Sequence, residues 1–168
     1  RDYGITPKHY AFAPDGSDER QYSSPAFRIP VATITRDKYY EYPQYHTSLD
    51  NLDFVKGDQI VESLALYRDV VQILDQNACY LSNSHYGEPQ LGRRGLYPSI
   101  GGGINQRGVL GSVGQTKKEL DATTWLLFMA DGTTDVVDVA ERSGVAFSDL
   151  VRALKQLVAS GLLEPVLD

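Results

Sequence analysis

The sequence predicts an α/β module followed by a small, mostly helical module with a winged-helix outline. All eleven Tyr lie at or before Tyr97, whereas the last fifty residues are rich in Leu, Val, Ala and Asp. Such a composition break indicates two modules. We expect residues 1–80 to form the first module, 81–116 a Gly- and Arg-rich connecting segment, and 117–168 the second module.

The first module combines strand and helix patterns, which is typical of α/β architecture. A short strand is predicted at 10–13. A second is predicted at 29–35, because β-branched Ile, Val and Thr dominate that segment. A long helix is predicted over 58–74. Apolar residues recur along it at spacings of three and four and form one stripe: Ile60, Leu64, Tyr67, Val71 and Leu74.

The second module reads as three helices, over 120–130, 134–143 and 147–160, followed by a short strand over 162–166. Thr134 is a candidate cap of the second helix. Gly residues follow each helix, as is common at helix ends. This order of elements outlines a helix-turn-helix or winged helix.

Composition excludes several classes of function. The 168 residues carry a net charge of −6, which argues against a general nucleic-acid or membrane binder. The second module has five basic and nine acidic residues, so its helix-turn-helix outline favours a protein or oligomer contact over DNA. One Cys excludes an internal disulfide and is compatible with the cytoplasm, and no apolar run reaches the ~20 residues that span a bilayer.

The connecting segment offers weak candidates for a site. Six Gly fall within 101–114, but 101–108 lacks the Gly-Lys-Ser/Thr of a phosphate loop, so a flexible linker is the better interpretation. Arg93 and Arg94 either project into a cleft or lie in a solvated loop. Structural roles are assigned to His85 and Cys79.

Two polar segments, 16–22 and 41–51, flank the predicted strand at 29–35 and are expected to share a cleft. His46 has the chemistry of a zinc ligand, although the pattern alone favours a surface or hydrogen-bonded loop His. Asp18 and Glu19 are candidate acid/base groups, or else part of an exposed turn.

These two segments, together with the tract 87–98, resemble a bacterial zinc aminopeptidase-like family. It is a branch of the clan that holds di-zinc aminopeptidases and glutaminyl cyclases, and a C-terminal winged-helix-like module is also typical of it. The resemblance spans essentially the whole chain. It implies a three-layer sheet domain, one or two zinc ions, and hydrolysis of a peptide or amide bond at the N-terminus of a substrate. These implications set the expectation for the site.

The resemblance also implies site residues. The segment 45–47 matches the Tyr-His-Thr that supplies the clan's last zinc ligand, which makes His46 the metal candidate. Ser-Asp at 17–18 matches an acidic group near the catalytic centre, which makes Asp18 the catalytic candidate. Glu19 stands where His is common, so its role stays open. Arg20 and Tyr45 are candidates for substrate contact.

The other groups that the clan needs are a His-x-Asp segment, a Glu-Glu pair and a further acidic ligand. The sequence contains neither His-x-Asp nor Glu-Glu. It also starts at Arg1, with Met129 as its only Met. We therefore expect the C-terminal portion of a longer hydrolase whose zinc is held mostly by residues outside this chain. The rival hypothesis is a non-enzymatic interaction protein with a degenerate peptidase-like scaffold.

Overall fold

The computed structural model describes residues 5–14, 16, 18–96 and 113–166, with side chains from 117 onward in the last range. The chain divides into an N-terminal unit and a C-terminal unit, with the boundary between Ala65 and Leu66. Of the predicted linker at 101–114, residues 101–112, which include the phosphate-loop candidate, lie outside the described residues. The sequence predicts the module boundary at 80/81, which falls inside the C-terminal unit.

The N-terminal unit consists of short turns and extended segments around two helices. Helix α1 spans Asp18–Tyr22, and helix α2 spans Gly57–Gln76 and crosses the unit boundary. The strands predicted at 10–13 and 29–35 are wrong, because the described part of this unit contains no strand. A β-branched run forms a strand only where a neighbouring strand takes its N–H and C=O groups.

Helix α2 confirms the prediction over 58–74 and extends it by one residue at its start and two at its end. Its apolar periodicity is a local property of the sequence, which is why the pattern identified it. None of its residues is buried. Arg36 holds it from the side: the guanidinium donates to the Ser63 hydroxyl and to the Gln59 carbonyl, and it pairs with Glu62.

The C-terminal unit contains a three-stranded antiparallel sheet in the order β2-β1-β3. Its strands are β1, Cys79–Ser82; β2, Asp131–Asp135; and β3, Leu163–Pro165. Leu81 in the central strand faces Asp131 on one side and Glu164 on the other. Sequence patterning missed β1 because four residues are too few to show a period, and both partners lie far along the chain.

Three helices complete this unit: α3, Val113–Met129; α4, Val136–Ser143; and α5, Phe147–Ala159. All three predicted helices are present. Helix α4 begins two residues later than predicted because 131–135 is strand, so Asp135 rather than Thr134 is the cap and accepts from the Asp138 N–H at 2.8 Å. Gly144 ends the helix with a φ of 70°, where a side chain would be strained.

All the buried apolar side chains that the structure describes lie in the C-terminal unit. They come from the three helices, from β3 and the residue before it, and from a short 3₁₀ helix, Leu91–Arg94. The cluster comprises Leu91, Ala122, Leu126, Met129, Val136, Val139, Leu150, Ala153, Leu154, Leu157, Leu162 and Leu163. Leu91 anchors its 3₁₀ helix in this core, while Arg93 and Arg94 stay exposed. This unit therefore has the apolar core that a stable fold needs.

Candidate functional site

Glu19 links helix α1 to Tyr39, which lies two residues before the polar segment 41–51. Its carboxylate accepts a hydrogen bond from the Tyr39 hydroxyl at 2.9 Å. The carboxylate also folds over buried Gly16, where a Cβ would collide with it. Gly16 therefore leaves the space that lets α1 reach the loop at 36–51, called here the Tyr-rich loop.

The Glu19 carboxyl is held in its ionised form. Its own backbone N–H and the Tyr39 hydroxyl both stabilise the charged oxygen atoms, so the pKa of Glu19 lies below its ordinary value. Sequence reasoning left the role of Glu19 open and did not select Tyr39. The Tyr-rich composition of the loop was the only signal for Tyr39.

An aromatic cluster extends from Tyr39 to His46. The Tyr39 ring lies 6.1 Å from the Tyr45 ring, centroid to centroid, and Tyr40 and Tyr42 meet Tyr45 edge-on at 4.8 and 5.6 Å. Tyr45 stacks on the His46 imidazole at 4.1 Å and an interplanar angle of 12°. This stack fixes the orientation of an exposed imidazole without burying it.

The backbone at His46 is unusual. His46 has a φ of 54° and Tyr40 a φ of 68°. Both values fall in the left-handed region, which residues other than Gly rarely adopt. Thr47 supports the turn next to His46, because its hydroxyl donates to the Gln44 carbonyl and accepts from the Leu49 N–H. Such conformations concentrate at functional sites, where the surrounding contacts sustain their cost.

Tyr45 is half-buried beneath these rings. Burial, followed by the neighbouring Tyr40 and Tyr42, raises the pKa of its phenol above the ordinary value. The phenol therefore stays neutral across the physiological range. It can donate a hydrogen bond, and it keeps its ring against His46.

A second polar cluster fixes the N-terminal segment against the same loop. The ring of Tyr10 lies between two ammonium groups, 4.7 Å from Lys8 and 4.8 Å from Lys38. Lys38 pairs with Glu41 at 3.0 Å and is the main reason why the pKa of Glu41 lies below its usual range. The sequence did not predict this cluster, because its members lie in segments distant along the chain.

The predicted site residues are only partly brought together. Tyr45 and His46 are in contact, whereas Asp18 and Arg20 are exposed on α1. Among the described residues, no hydrogen bond or ion pair joins Asp18 or Arg20 to His46. Within the same part of the chain, no group of three His, Cys, Asp or Glu side chains is placed to hold a metal ion.

In the C-terminal unit, polar groups serve the fold. Asn77 donates to the Asp135 carboxylate at 2.9 Å and accepts from the Val137 N–H at 2.9 Å. On α5, Arg152 pairs with Asp149 at 3.1 Å. In a helix-turn-helix protein, α5 would be the helix that faces DNA, and this ion pair neutralises part of its positive charge.

Two family models divide the chain between them. One is described as a winged helix-turn-helix and matches residues 78–165, and the other, described as a domain of unknown function (DUF4910), matches residues 2–77. The border between them falls immediately before β1, so the winged-helix match includes the complete three-stranded sheet.

Relatives point to a peptidase-like scaffold. A Clostridium acetobutylicum protein, provisionally named as a polysaccharide biosynthesis protein with an aminopeptidase-like domain, is 37% identical over 155 residues, which are 92% of this chain and 33% of that protein. A crystal structure from the same species, provisionally named as a peptidase, is similar with a TM-score of 0.73 and 33% identity. That likeness covers 92% of this chain and 31% of the other. The chain thus spans about a third of the length of the relatives it matches.

The sequence predicts no helix that spans a membrane. In the described ranges, none of the helices combines the length and the apolar character needed to span a bilayer.

Proposed function

The chain belongs to the winged helix-turn-helix family through residues 78–165, and we propose that it works as part of an aminopeptidase-type hydrolase of peptide or amide bonds. The names of the two Clostridium relatives support the peptidase class. The observation that carries the proposal in this chain is the continuous cluster from Glu19 through Tyr39 and Tyr45 to His46. It joins the two segments whose residue types suit such a site.

Within this cluster, the proposal gives each candidate residue a role. His46 supplies a metal ligand from a turn whose orientation is set by stacking on Tyr45. Asp18 supplies an acidic group near the reacting centre. Arg20 and Tyr45 contact the substrate, and an acidic surrounding suits the free α-ammonium group of a peptide.

The proposed cofactor is zinc, as one or two ions. Catalytic zinc takes three protein ligands, and the described residues contain no such set. The described residues alone therefore do not fit the metal. The proposal accordingly assigns to this chain a single ligand, His46, and assigns the others to parts of the protein outside it.

For the winged-helix module we propose contact with a protein partner or with another subunit. The five basic and nine acidic residues of 117–168 make the module acidic. Nucleic-acid binding depends on neutralising phosphates with a surplus of Lys and Arg, which this module lacks. The Asp149–Arg152 ion pair lowers the available positive charge on α5 further.

The second candidate function is a non-enzymatic interaction protein with a degenerate peptidase-like scaffold. It is favoured by the absence, from the described residues, of any metal-holding group. In that case the aromatic cluster is a structural device, and the winged helix carries the activity through a partner.

Metal content and hydrolysis by the intact protein distinguish these functions. We expect bound zinc by elemental analysis and release of p-nitroaniline from aminoacyl-p-nitroanilides. His46→Ala should lose most of both signals, whereas His9→Ala, which removes another exposed His of the N-terminal unit, should keep them. An intact protein without zinc, whose binding and turnover His46→Ala leaves unchanged, would refute the zinc hydrolase and favour the non-enzymatic alternative.

A further inference from the structure

The apolar stripe of α2 is exposed, although such a stripe normally attaches a helix to its neighbours. Ile60 is 58% exposed, Leu64 67%, Val71 61% and Leu74 67%. Contiguous apolar surface of this kind marks a site of contact with another surface. The apolar side chains of Ile60, Leu64, Val71 and Leu74 therefore lie open to contact with another surface.

The contacts that Arg36 makes with α2 lie beside the stripe and not on it. Arg36 donates to the Ser63 hydroxyl at 3.1 Å and to the Gln59 carbonyl at 3.0 Å, and it pairs with Glu62. At 3.6 residues per turn, position 62 lies roughly 160° around the helix from positions 60 and 64. A polar side of α2 is thus held in place, and the apolar stripe stays outward.

The N-terminal unit as a whole also lacks buried apolar side chains among its described residues. Of its described residues, Gly16 is the one that is buried, and it has no side chain to contribute to a core. Exposed large apolar residues are spread along the rest of the unit, Leu52 among them. A unit of this size needs buried apolar surface to offset the entropy of ordering its chain.

The stripe itself describes the shape and charge of its partner. The spacing 60, 64, 67, 71, 74 repeats every seven residues, which is the pattern of a helix packed lengthwise against another helix. Helix α2 carries four acidic side chains and one basic side chain. A second copy would bring two acidic helices together, whereas a helix flanked by Lys or Arg would be attracted.

We propose that the α2 stripe docks an apolar α-helix with basic flanks, contributed by the part of an aminopeptidase-like polypeptide that the relatives possess and this chain does not match. The matched segment is 33% of one relative and 31% of the other, so each has about twice as much further chain to provide such a helix. This docking covers the apolar stripe, and it does not require that the protein hydrolyse anything.

Thiol labelling of the intact protein tests the proposal. Leu64→Cys places a thiol on the stripe, and Glu62→Cys places one on the opposite side, where the native side chain is 69% exposed. We expect the thiol at position 64 to react with a soluble maleimide at least about tenfold more slowly than the thiol at position 62, because the docked helix must open first. Peptide mass spectrometry measures modification at each position.

The outcomes separate the possible occupants. Slow labelling at position 64 in a purified monomer, unchanged on dilution, supports docking within one polypeptide. Protection that is lost on dilution indicates a second copy, and equal rates at positions 62 and 64 in the purified monomer leave the stripe uncovered. Either result overturns the proposal. If Leu64→Cys does not fold, Val71→Cys repeats the comparison about two helical turns further along α2, with Gln72→Cys as its control.

Discussion

The Asn77 side chain forms hydrogen bonds to the end of β2 and to the first turn of α4. Its replacement by Ala should therefore destabilise the C-terminal unit. The side chain makes two hydrogen bonds of 2.9 Å, one to the Asp135 carboxylate and one from the Val137 N–H. The Val137 N–H belongs to the first turn of α4, where backbone donors have no partner within the helix. Asn77 therefore acts as a second cap, provided by a residue far from α4 in sequence.

The expected cost follows from these two bonds. At about 0.5–1.5 kcal/mol for each net hydrogen bond, Asn77→Ala should lower the free energy of unfolding by about 1–3 kcal/mol. Trp125, the single Trp of the chain, packs against the core of this unit, so its fluorescence in a urea titration reports the transition. With a urea dependence of about 1–3 kcal/mol per molar, the midpoint should fall by roughly 1 M.

Asn83→Ala is the matched control. Asn83 is exposed and makes one hydrogen bond of 3.1 Å, to the Gly161 carbonyl. We expect it to change the free energy of unfolding by no more than about 0.5 kcal/mol. Equal effects of the two substitutions would mean that water replaces Asn77 at the start of α4, and the argument for a second cap would be wrong.

Two further predictions concern ionised groups. Tyr39→Phe removes a donor to the Glu19 carboxylate, so the pKa of Glu19 should rise towards its usual value, as measured by an NMR titration of the side-chain carboxyl. Asp131 accepts from the backbone N–H groups of Thr133 and Thr134, which holds the pKa of its carboxyl well below the usual value of 3.8. A carboxyl whose pKa is lowered by folding stabilises the fold above its unfolded pKa and loses that contribution as pH falls towards the folded one. The stability difference between the native protein and Asp131→Ala should therefore be full at pH 7 and shrink below about pH 4, measured by urea titrations across this range.

Each of these predictions has a control and a contradicting result. Tyr10→Phe removes a hydroxyl near Glu41 instead and should leave the titration of Glu19 unchanged. A Glu19 titration that does not respond to Tyr39→Phe would contradict the link between α1 and the Tyr-rich loop. For Asp131, the control is Glu141→Ala on the exposed side of α4. A stability difference that grows in acid would show that the sign of the linkage is wrong.

The helices could be predicted from the sequence because the signals that define them are local. Apolar spacing identified α2 and α5, and the Gly residues after the helices marked where α4 and α5 end. The strands depended on distant partners. The apolar segment 29–35 has strand-like composition and is not a strand, while Cys79–Ser82 has little pattern and becomes the central strand.

The candidate site divides in the same way. The sequence selected His46, Tyr45 and the acidic turn at 18–19 by residue type, since imidazoles and carboxylates are the groups that such chemistry uses. It could not show that the Tyr39 hydroxyl donates a hydrogen bond to the Glu19 carboxylate, because the two residues are twenty positions apart in the sequence. It could not show the stack of Tyr45 on His46 either, since that depends on the left-handed backbone of the turn.

The sequence by itself determined the residue types and the amphipathic helices of this protein, because both are properties of a residue and its near neighbours. Only the tertiary structure decided which strands pair, which polar groups meet, and which apolar faces are covered. The stripe of α2 shows the difference most clearly. Its spacing predicts a buried face, and the fold of these residues leaves that face exposed. Burial depends on surfaces brought together from elsewhere, so it is a property of the assembled molecule.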